Sequence, residues 1–533
     1  MFPISRWKRR TLAAALTAVA LSFAPQELSF TQHAVAADKT ITAVMHSDLR
    51  VIDPILTTAY ITRDHGYMVY DTLVATDSNF KIEPQMADWK VSDDKLTYTF
   101  TLRDGLKWHD GTPVTAEDCV ASLKRWAKVD GMGQKLMDFT ASLEATDAKT
   151  ITLKLKEPYG LVLDTLGTTS SPTPFIMPAR IAANTPGSTQ VTEIVGSGPF
   201  VYSKADHRPG DRMLLRKNPD YVPRSEPADF LAGGHVVKVD ALDIRVVPDG
   251  ATAAAALQQG EIDYMQYAPF DLLPVMEKDR QLKVLDFTGP HMFTGHYRIN
   301  TASKPFDDPA IRRVLLRLVD QKEVIAGLGL DSRYGQSCDA FFICGSTNET
   351  HVGTELLKDP SIEAAAKALK ETKYDGTPVV VMIASDLEAP RVASQILADR
   401  LARAGFKVDA QLTDWATLLA RRTQRAGWSV YGVHALGLDL SSPLTNSVIN
   451  FNCTDSATAG FMCDQRLVPL FDAFARAPTR EAQREVAGRI QAIVYEQGLG
   501  IPFGQFAQPA AYRANLSGVI PSAIPLFWNI EKN

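Results

Sequence analysis

The sequence predicts an α/β protein built of mixed sheets with helices packed against their faces. Three stretches carry that reading. Leu96, Tyr98, Phe100 and Leu102 alternate with Thr97, Thr99 and Thr101, the period of a half-buried strand. Thr115 with Asp118 three residues on forms a capping box ahead of an apolar stripe of Val120, Leu123 and Trp126. Pro378 to Ala384 is a β-branched run, Arg391 to Ala404 a helix closed by Gly405, and Phe406 to Leu412 a second strand. Strand, long helix and strand in that order suggest a parallel crossover.

The remaining elements follow the same logic. The capped helix is expected from Ala116 to about Val129. Ile151, Leu153 and Leu155 repeat the strand pattern after the turn-like Asp147-Ala148-Lys149. Ala251 to Gln259 is an alanine-rich helix, with Gly260 where a left-handed cap is wanted. Pro309 to Leu318 starts with proline at a favoured helical position. Arg480 to Tyr495 is a further amphipathic helix.

The chain has 533 residues, 45% of them hydrophobic, so a large core can be buried. Its net charge of -5 argues against a nucleic-acid partner, which would want a basic domain. Arg6, Lys8, Arg9 and Arg10 precede an uncharged stretch from Thr11 to Ala24, and Ala34-Val35-Ala36 offers small residues at cleavage spacing. This is the layout of a secretory signal cleaved near Ala36. No later run is long and apolar enough to span a bilayer, so no membrane span is expected in the mature chain. Of the five cysteines, Cys338 with Cys344 and Cys453 with Cys463 are locally spaced pairs. Two disulfides and one buried thiol, Cys119, are expected in an oxidising compartment.

Catalytic signatures are missing. Gly196-Ser197-Gly198 lacks the spacing of a nucleophile elbow and fits a tight turn before Pro199. No metalloprotease, phosphate-loop or dinucleotide motif occurs. His291 and His296, five apart, would lie on opposite faces of a strand and read as structural histidines rather than ligands. No cofactor, metal site or enzymatic activity is expected.

The segment Gly105-Leu106-Lys107-Trp108-His109-Asp110-Gly111-Thr112-Pro113-Val114-Thr115-Ala116-Glu117-Asp118 closely resembles a hallmark of the extracellular solute-binding proteins of family 5. These include the dipeptide- and oligopeptide-binding proteins of ABC importers. Gly196 to Phe200, Arg216 to Tyr221, Gly260 to Asp263, Asn300 and Pro305 to Asp308 follow in the family's order. The resemblance implies a two-lobed periplasmic-binding-protein fold with a hinge and three domains. The first domain would be discontinuous, at 37–74, 191–290 and 499–533, the second would span 75–190, and the third 291–498. The long motif itself reads as a fold element: Asp110-Gly111 is a turn, Trp108 is core-sized, and Thr115 to Asp118 caps a helix.

The resemblance also implies a ligand site. Peptide-binding members hold the ligand's α-amine with an Asp that falls after a third-domain strand. Here that residue is Asp439, in Leu438-Asp439-Leu440-Ser441-Ser442-Pro443, with Ser442 replacing a second acid. A carboxylate in a dry cleft binds an ammonium strongly. A turn or cap role for Asp439 is the competing reading. Dipeptide binders carry an Arg for the ligand carboxylate, and Arg391 stands at the matching place. Trp415, Tyr60, Phe293 and Trp428 are candidate cleft aromatics, although aromatics in such places also serve as core. The implied function is capture of short peptides and delivery to the permease and ATPase subunits of an importer, by a monomer. The same fold with a nickel chelate, haem, opine or oligosaccharide as cargo is the alternative, since fold does not fix cargo. A secreted hydrolase with a dispersed site, or a chaperone-like or sensory protein on the same scaffold, are the others.

Overall fold

Capping chemistry sets the helix starts where the sequence places it. In the computed structural model, which describes residues 39–449, 459–462 and 464–533, helix Ala116–Trp126 opens on a reciprocal box. The Thr115 N–H donates to Asp118 Oδ2 at 2.8 Å, and the Asp118 N–H donates back to Thr115 Oγ1 at 3.4 Å. The helix stops short of Val129 because Asp130 caps the next one, Gly131–Phe139. Gly260 closes helix Gly250–Gln259 at φ +80°, and Gly498 closes Arg480–Gln497 at φ +61°. Both positions need the left-handed conformation that glycine adopts without a Cβ penalty.

Three larger sheets result. A seven-stranded sheet runs, in spatial order, Leu282–Val284, Ala511–Arg513, Tyr264–Met265, Thr40–Val44, Ala241–Arg245, Arg212–Lys217 and Phe200–Arg208. A six-stranded sheet runs Gly335–Gln336, Ile501–Phe506, Phe293–Ile299, Val430–Leu436, Val379–Ala384 and Val408–Thr413. A four-stranded antiparallel sheet runs Ala87–Val91, Thr97–Leu102, Thr150–Leu155 and Thr140–Ala145. Val379–Ala384 pairs in parallel with Val408–Thr413 across helix Glu388–Arg403, the crossover expected from the strand–helix–strand order.

The chain passes between the seven- and six-stranded sheets twice, through residues 285–292 and 507–510. These segments run side by side: the Leu285 N–H donates to the Ala510 carbonyl at 2.8 Å. Two short crossings joining two sheet systems make a hinge between lobes. Strand Ile501–Phe506, beyond residue 498, belongs to the six-stranded sheet.

The tryptophan-bearing motif is built into the fold. Trp108 is buried and its indole N–H points to Asp118 at 3.4 Å. Asp110 accepts from the Thr112 N–H at 3.0 Å across a turn in which Gly111 sits at φ +85°. The motif then meets the Gly196–Phe200 stretch: the His109 N–H donates to the Gly196 carbonyl at 2.8 Å. Nearby, Arg125 grips fully buried Asp53, its Nη2 reaching Oδ2 at 2.6 Å.

Cys338 and Cys344 are joined by a disulfide, and Cys119 is a buried free thiol. The second expected pair, Cys453 with Cys463, lies outside the described residues, as does the expected signal segment. Among the described residues, no helix is long and apolar enough to cross a membrane, and no group of three or more His, Cys, Asp or Glu residues is placed to hold a metal ion.

Candidate ligand-binding site

Asp439 sits in a single helical turn, Gly437–Leu440, directly after strand Val430–Leu436. Its carboxylate is not used as a helix cap. Oδ2 accepts from the Tyr60 hydroxyl at 2.6 Å. That hydroxyl in turn accepts from the Leu436 N–H at 3.0 Å. Tyr60 begins helix Tyr60–Val69, which lies in the other lobe and is buried almost all round. The Tyr60–Asp439 bond therefore crosses the cleft.

One helical turn beyond Tyr60 comes Arg63, with Asp64 beside it, and both side chains are about 1% exposed. Arg63 lies under the Tyr60 ring, its guanidinium carbon 4.7 Å from the centroid. It lies 3.5 Å from Asp64 and 3.8 Å from Asp439 Oδ1. Its Nη1 donates to the Thr169 carbonyl at 3.3 Å. Asp64 is held by Gln266, whose Nε2 donates at 3.1 Å, and Gln266 bonds His46 at 2.7 Å.

The charge balance is unequal: one guanidinium faces two carboxylates. Burial raises the Asp439 carboxyl above its ordinary range, against the pull of Arg63 and the hydrogen bonds of Tyr60 and Ser170. Burial likewise raises Asp64, to about 6, with Arg63 opposing. Burial alone would lower Arg63, but Asp64 and Asp439 outweigh it and leave it raised. Asp439 Oδ1 is buried and, among the described residues, takes no hydrogen bond of ordinary length; Arg63 lies 3.8 Å away, and Ser170 and the Ser171 N–H also face the carboxylate. An acceptor left open beside a surplus of negative charge suits a cationic donor such as an ammonium.

Two cavities are lined by chain neighbours of Asp439, Leu438 in one and Leu440 in the other. The smaller, of about 100 Å³, is lined by Leu438, Ser441, Ser442, Thr169, Asn348 and Arg480 among others. The larger, of about 370 Å³, is lined by Thr58, Leu440, His296, Arg298, Arg422 and His434 among others. A volume of that size is within the range of small-molecule sites.

Of the residues singled out from the sequence, the structure brings Asp439, Tyr60 and Phe293 together. The Phe293 ring lies 6.4 Å from Tyr60 and 5.9 Å from Tyr267, centroid to centroid. Trp428 and Trp415 are elsewhere, packed against Tyr431 at 5.5 and 6.3 Å, in a cluster with Met382, Ala384 and Leu418. Trp428 is 1% exposed and its indole N–H is spent on the Gln424 carbonyl at 2.8 Å, a core role. Arg391 is half-buried in the first turn of helix Glu388–Arg403, which packs on strand Val430–Leu436, with Pro390 against Gly432. Ser442, in place of a second acid, lines the smaller cavity. His296 is buried with both ring nitrogens unpartnered, and burial pulls it down to about 3. Sequence reasoning missed Arg63, Asp64, Arg298 and Arg422. The signal of the first three is charge inside otherwise fully buried elements, which pattern alone does not separate from a solvated face, whereas Arg422 follows a mostly exposed helix.

A model of the bacterial extracellular solute-binding proteins, family 5 (middle), matches residues 81–457. The chain is 37% identical over 537 residues to the probable peptide ABC transporter periplasmic-binding protein y4tO of Sinorhizobium fredii, covering 98% of this chain and 99% of that one. Its fold is similar to the periplasmic binding protein AgaA from A. tumefaciens R10, solved with agropinic acid, at TM-score 0.76 and 21% identity, over 93% of this chain and 99% of that one. It is also similar to DppA from Helicobacter pylori, solved with the peptide STSA, at TM-score 0.75 and 19% identity, over 92% and 98%. With its two hinged lobes and a polar cleft between them, the chain belongs to the bacterial extracellular solute-binding proteins of family 5.

Proposed function

We propose that the protein is the periplasmic component of an ABC importer, which captures short peptides between its lobes and delivers them to the membrane permease without transforming them. The observation that carries this reading is the open acceptor of Asp439, buried in the cleft beside Tyr60 and Arg63. A peptide's α-ammonium supplies the missing donors and balances the second carboxylate. The full-length similarity to a probable peptide-binding relative supports the cargo class. Closure around the ligand, read by the permease, is the physical basis of delivery.

In this reading the signal is removed near Ala36 and the mature chain acts as a monomer. The first domain takes its three segments from 37–74, 191–290 and the C-terminal stretch, and the second spans 75–190. The third begins at residue 291 and extends through Phe506, so that strand Ile501–Phe506 stays with its sheet. Asp439, Tyr60, Phe293 and Arg63 form the amine end of the site. The test is mass spectrometry of the small molecules released on denaturing the purified protein. Short peptides are the expected cargo. A sugar or metal chelate recovered in stoichiometric amount contradicts the reading.

A further inference from the structure

Gln266 and His46 stand just past the ends of two parallel strands, Tyr264–Met265 and Thr40–Val44. The Gln266 N–H donates to the Val44 carbonyl at 2.9 Å, which sets the two residues side by side. Gln266 is buried, and its amide can face only one way. The His46 N–H can only donate, and it reaches Gln266 Oε1 at 3.1 Å; His46 Nδ1 lies 2.7 Å from the same oxygen. The Gln266 side-chain N–H therefore points the other way, where it donates to Asp64 Oδ2 at 3.1 Å. Stacking of the His46 ring on Tyr267, at 5.2 Å between centroids, holds the far end of this chain of contacts.

With Oδ2 held by Gln266, Asp64 turns Oδ1 toward Arg63, whose Nη2 lies 3.5 Å away. The other terminal nitrogen, Nη1, lies 3.8 Å from Asp439 Oδ1 and donates to the Thr169 carbonyl. One guanidinium thus stands between two carboxylates and is given up wholly to neither. Asp64, raised by burial to about 6, is still ionised slightly above neutral pH. The phenols that face it, Tyr67, Tyr264 and Tyr267, are all raised by burial and stay neutral there. Without the Asp64 charge, Arg63 would neutralise Asp439, and an arriving ammonium would bring a buried positive charge that nothing balances. With it, the ammonium completes a second pair.

We propose that Asp64 is a positioning residue that makes the site selective for a cation: held by Gln266, it engages Arg63 and leaves Asp439 for the ligand's ammonium. The proposal rests on the Asp439 reading for where the amine lies. Selectivity then depends on a side chain that Arg63 and Asp439 separate from the amine. The charge count of this buried group can be changed one unit at a time. Two carboxylates against one guanidinium leave a surplus of one negative charge in the wild type. Asp64→Asn leaves no surplus, and adding Arg63→Gln to it restores the surplus of one. Removing both partners of a buried pair is also far better tolerated than removing one.

The experiment is calorimetric titration of the mature protein, slightly above neutral pH, with Ala-Ala-Ala and its des-amino analogue, which lacks only the ammonium. The wild type is expected to bind the free peptide about tenfold or more tightly than the analogue. Asp64→Asn keeps the side chain's shape and an acceptor for Gln266. It should bring that ratio close to one and leave the analogue's affinity unchanged. The double variant Asp64→Asn with Arg63→Gln should regain the ratio, which a merely structural role for Asp64 would not allow. Gln266→Leu leaves both charges in place but frees Asp64; it should give an intermediate ratio, and it reads the same role if Asp64→Asn does not fold. An undiminished ratio in Asp64→Asn or in Gln266→Leu, or a folded double variant that does not regain it, overturns the proposal and leaves the Asp439 reading standing. A wild type that does not prefer the free peptide, or a ratio kept in Asp439→Asn, overturns the Asp439 reading and the proposal with it.

Discussion

The Tyr60 hydroxyl donates to Asp439 Oδ2 at 2.6 Å while accepting from the Leu436 N–H at 3.0 Å, so one phenol ties the helix of one lobe to the strand end of the other. In the proposed site it also fixes which carboxylate oxygen is left for a ligand. Tyr60→Phe keeps the ring over Arg63 and removes only the hydroxyl. A hydrogen bond to a charged group contributes about 1.5–3 kcal/mol, so affinity for an amine-bearing peptide should fall roughly tenfold or more in calorimetry. Unchanged affinity would show that the phenol does not orient the carboxylate.

Asp439 also makes a pH prediction. Burial holds its carboxyl above the ordinary range in the unliganded protein, and a bound ammonium favours the ionised form. Binding just above the ordinary carboxylate range should therefore release protons, and affinity should fall as pH drops through the raised pKa. Folding stability runs the other way. The folded chain holds this proton to a higher pH than the unfolded chain, so this group's contribution to stability falls as pH rises through that window. Titration calorimetry in buffers of different ionisation enthalpy reads the proton release. Proton uptake would reverse the assignment.

Closure has a close-contact point at Gly160. Its N–H donates to the Ala475 carbonyl at 2.9 Å, and a Cβ there would lie 2.1 Å from the Ala477 carbonyl oxygen. Ion pairs flank this contact, Lys135 with Asp472, Glu157 with Arg476 and Asp164 with Arg480, but they are largely exposed and contribute little. Gly160→Ala should disfavour the closed form, weakening peptide binding about tenfold while the melting temperature of the unliganded protein stays put. Scattering should show a larger radius of gyration for the liganded variant. Wild-type affinity would exclude this contact from closure.

Asp53 is fully buried and receives Arg125 at 2.6 Å, together with the Ile55 and Val191 N–H groups at 3.1 and 3.0 Å. Removing one partner of such a pair strands the other charge, at a cost of about 3–5 kcal/mol. Asp53→Ala should lower the urea midpoint accordingly. A loss below about 1 kcal/mol would mean that Arg125 finds water or another acceptor.

Much of the fold was legible because its signals are local. The Thr115–Asp118 box, Gly260 and the parallel crossover follow from residues close in sequence, and a resemblance in collinear motifs supplied the lobes. The site was legible only where it copied a motif, as at Asp439. Arg63 and Asp64 were missed because their helix is buried on nearly every side, and adjacent charges on a helix ordinarily mark a solvated face. Arg298 was missed because the run Phe293 to Ile299 reads as one more β-branched and aromatic strand, and nothing local says that its polar face looks into a cavity. Trp428 illustrates the converse: a large aromatic near the right place in sequence turned out to fill the core against Tyr431.

If Asp439 receives the amine of a short peptide, blocking that amine must remove the stabilisation the peptide gives. Thermal melting of the wild type and Asp439→Ala, with one tripeptide carrying either a free or an acetylated N-terminus, tests it most directly. A ligand bound only by the folded state stabilises by about 2.7 kcal/mol at a hundredfold excess over Kd. A clear upward shift is expected for the wild type with the free peptide, and none with the acetylated peptide or the variant. Equal shifts for both peptides, or an undiminished shift in Asp439→Ala, would contradict it.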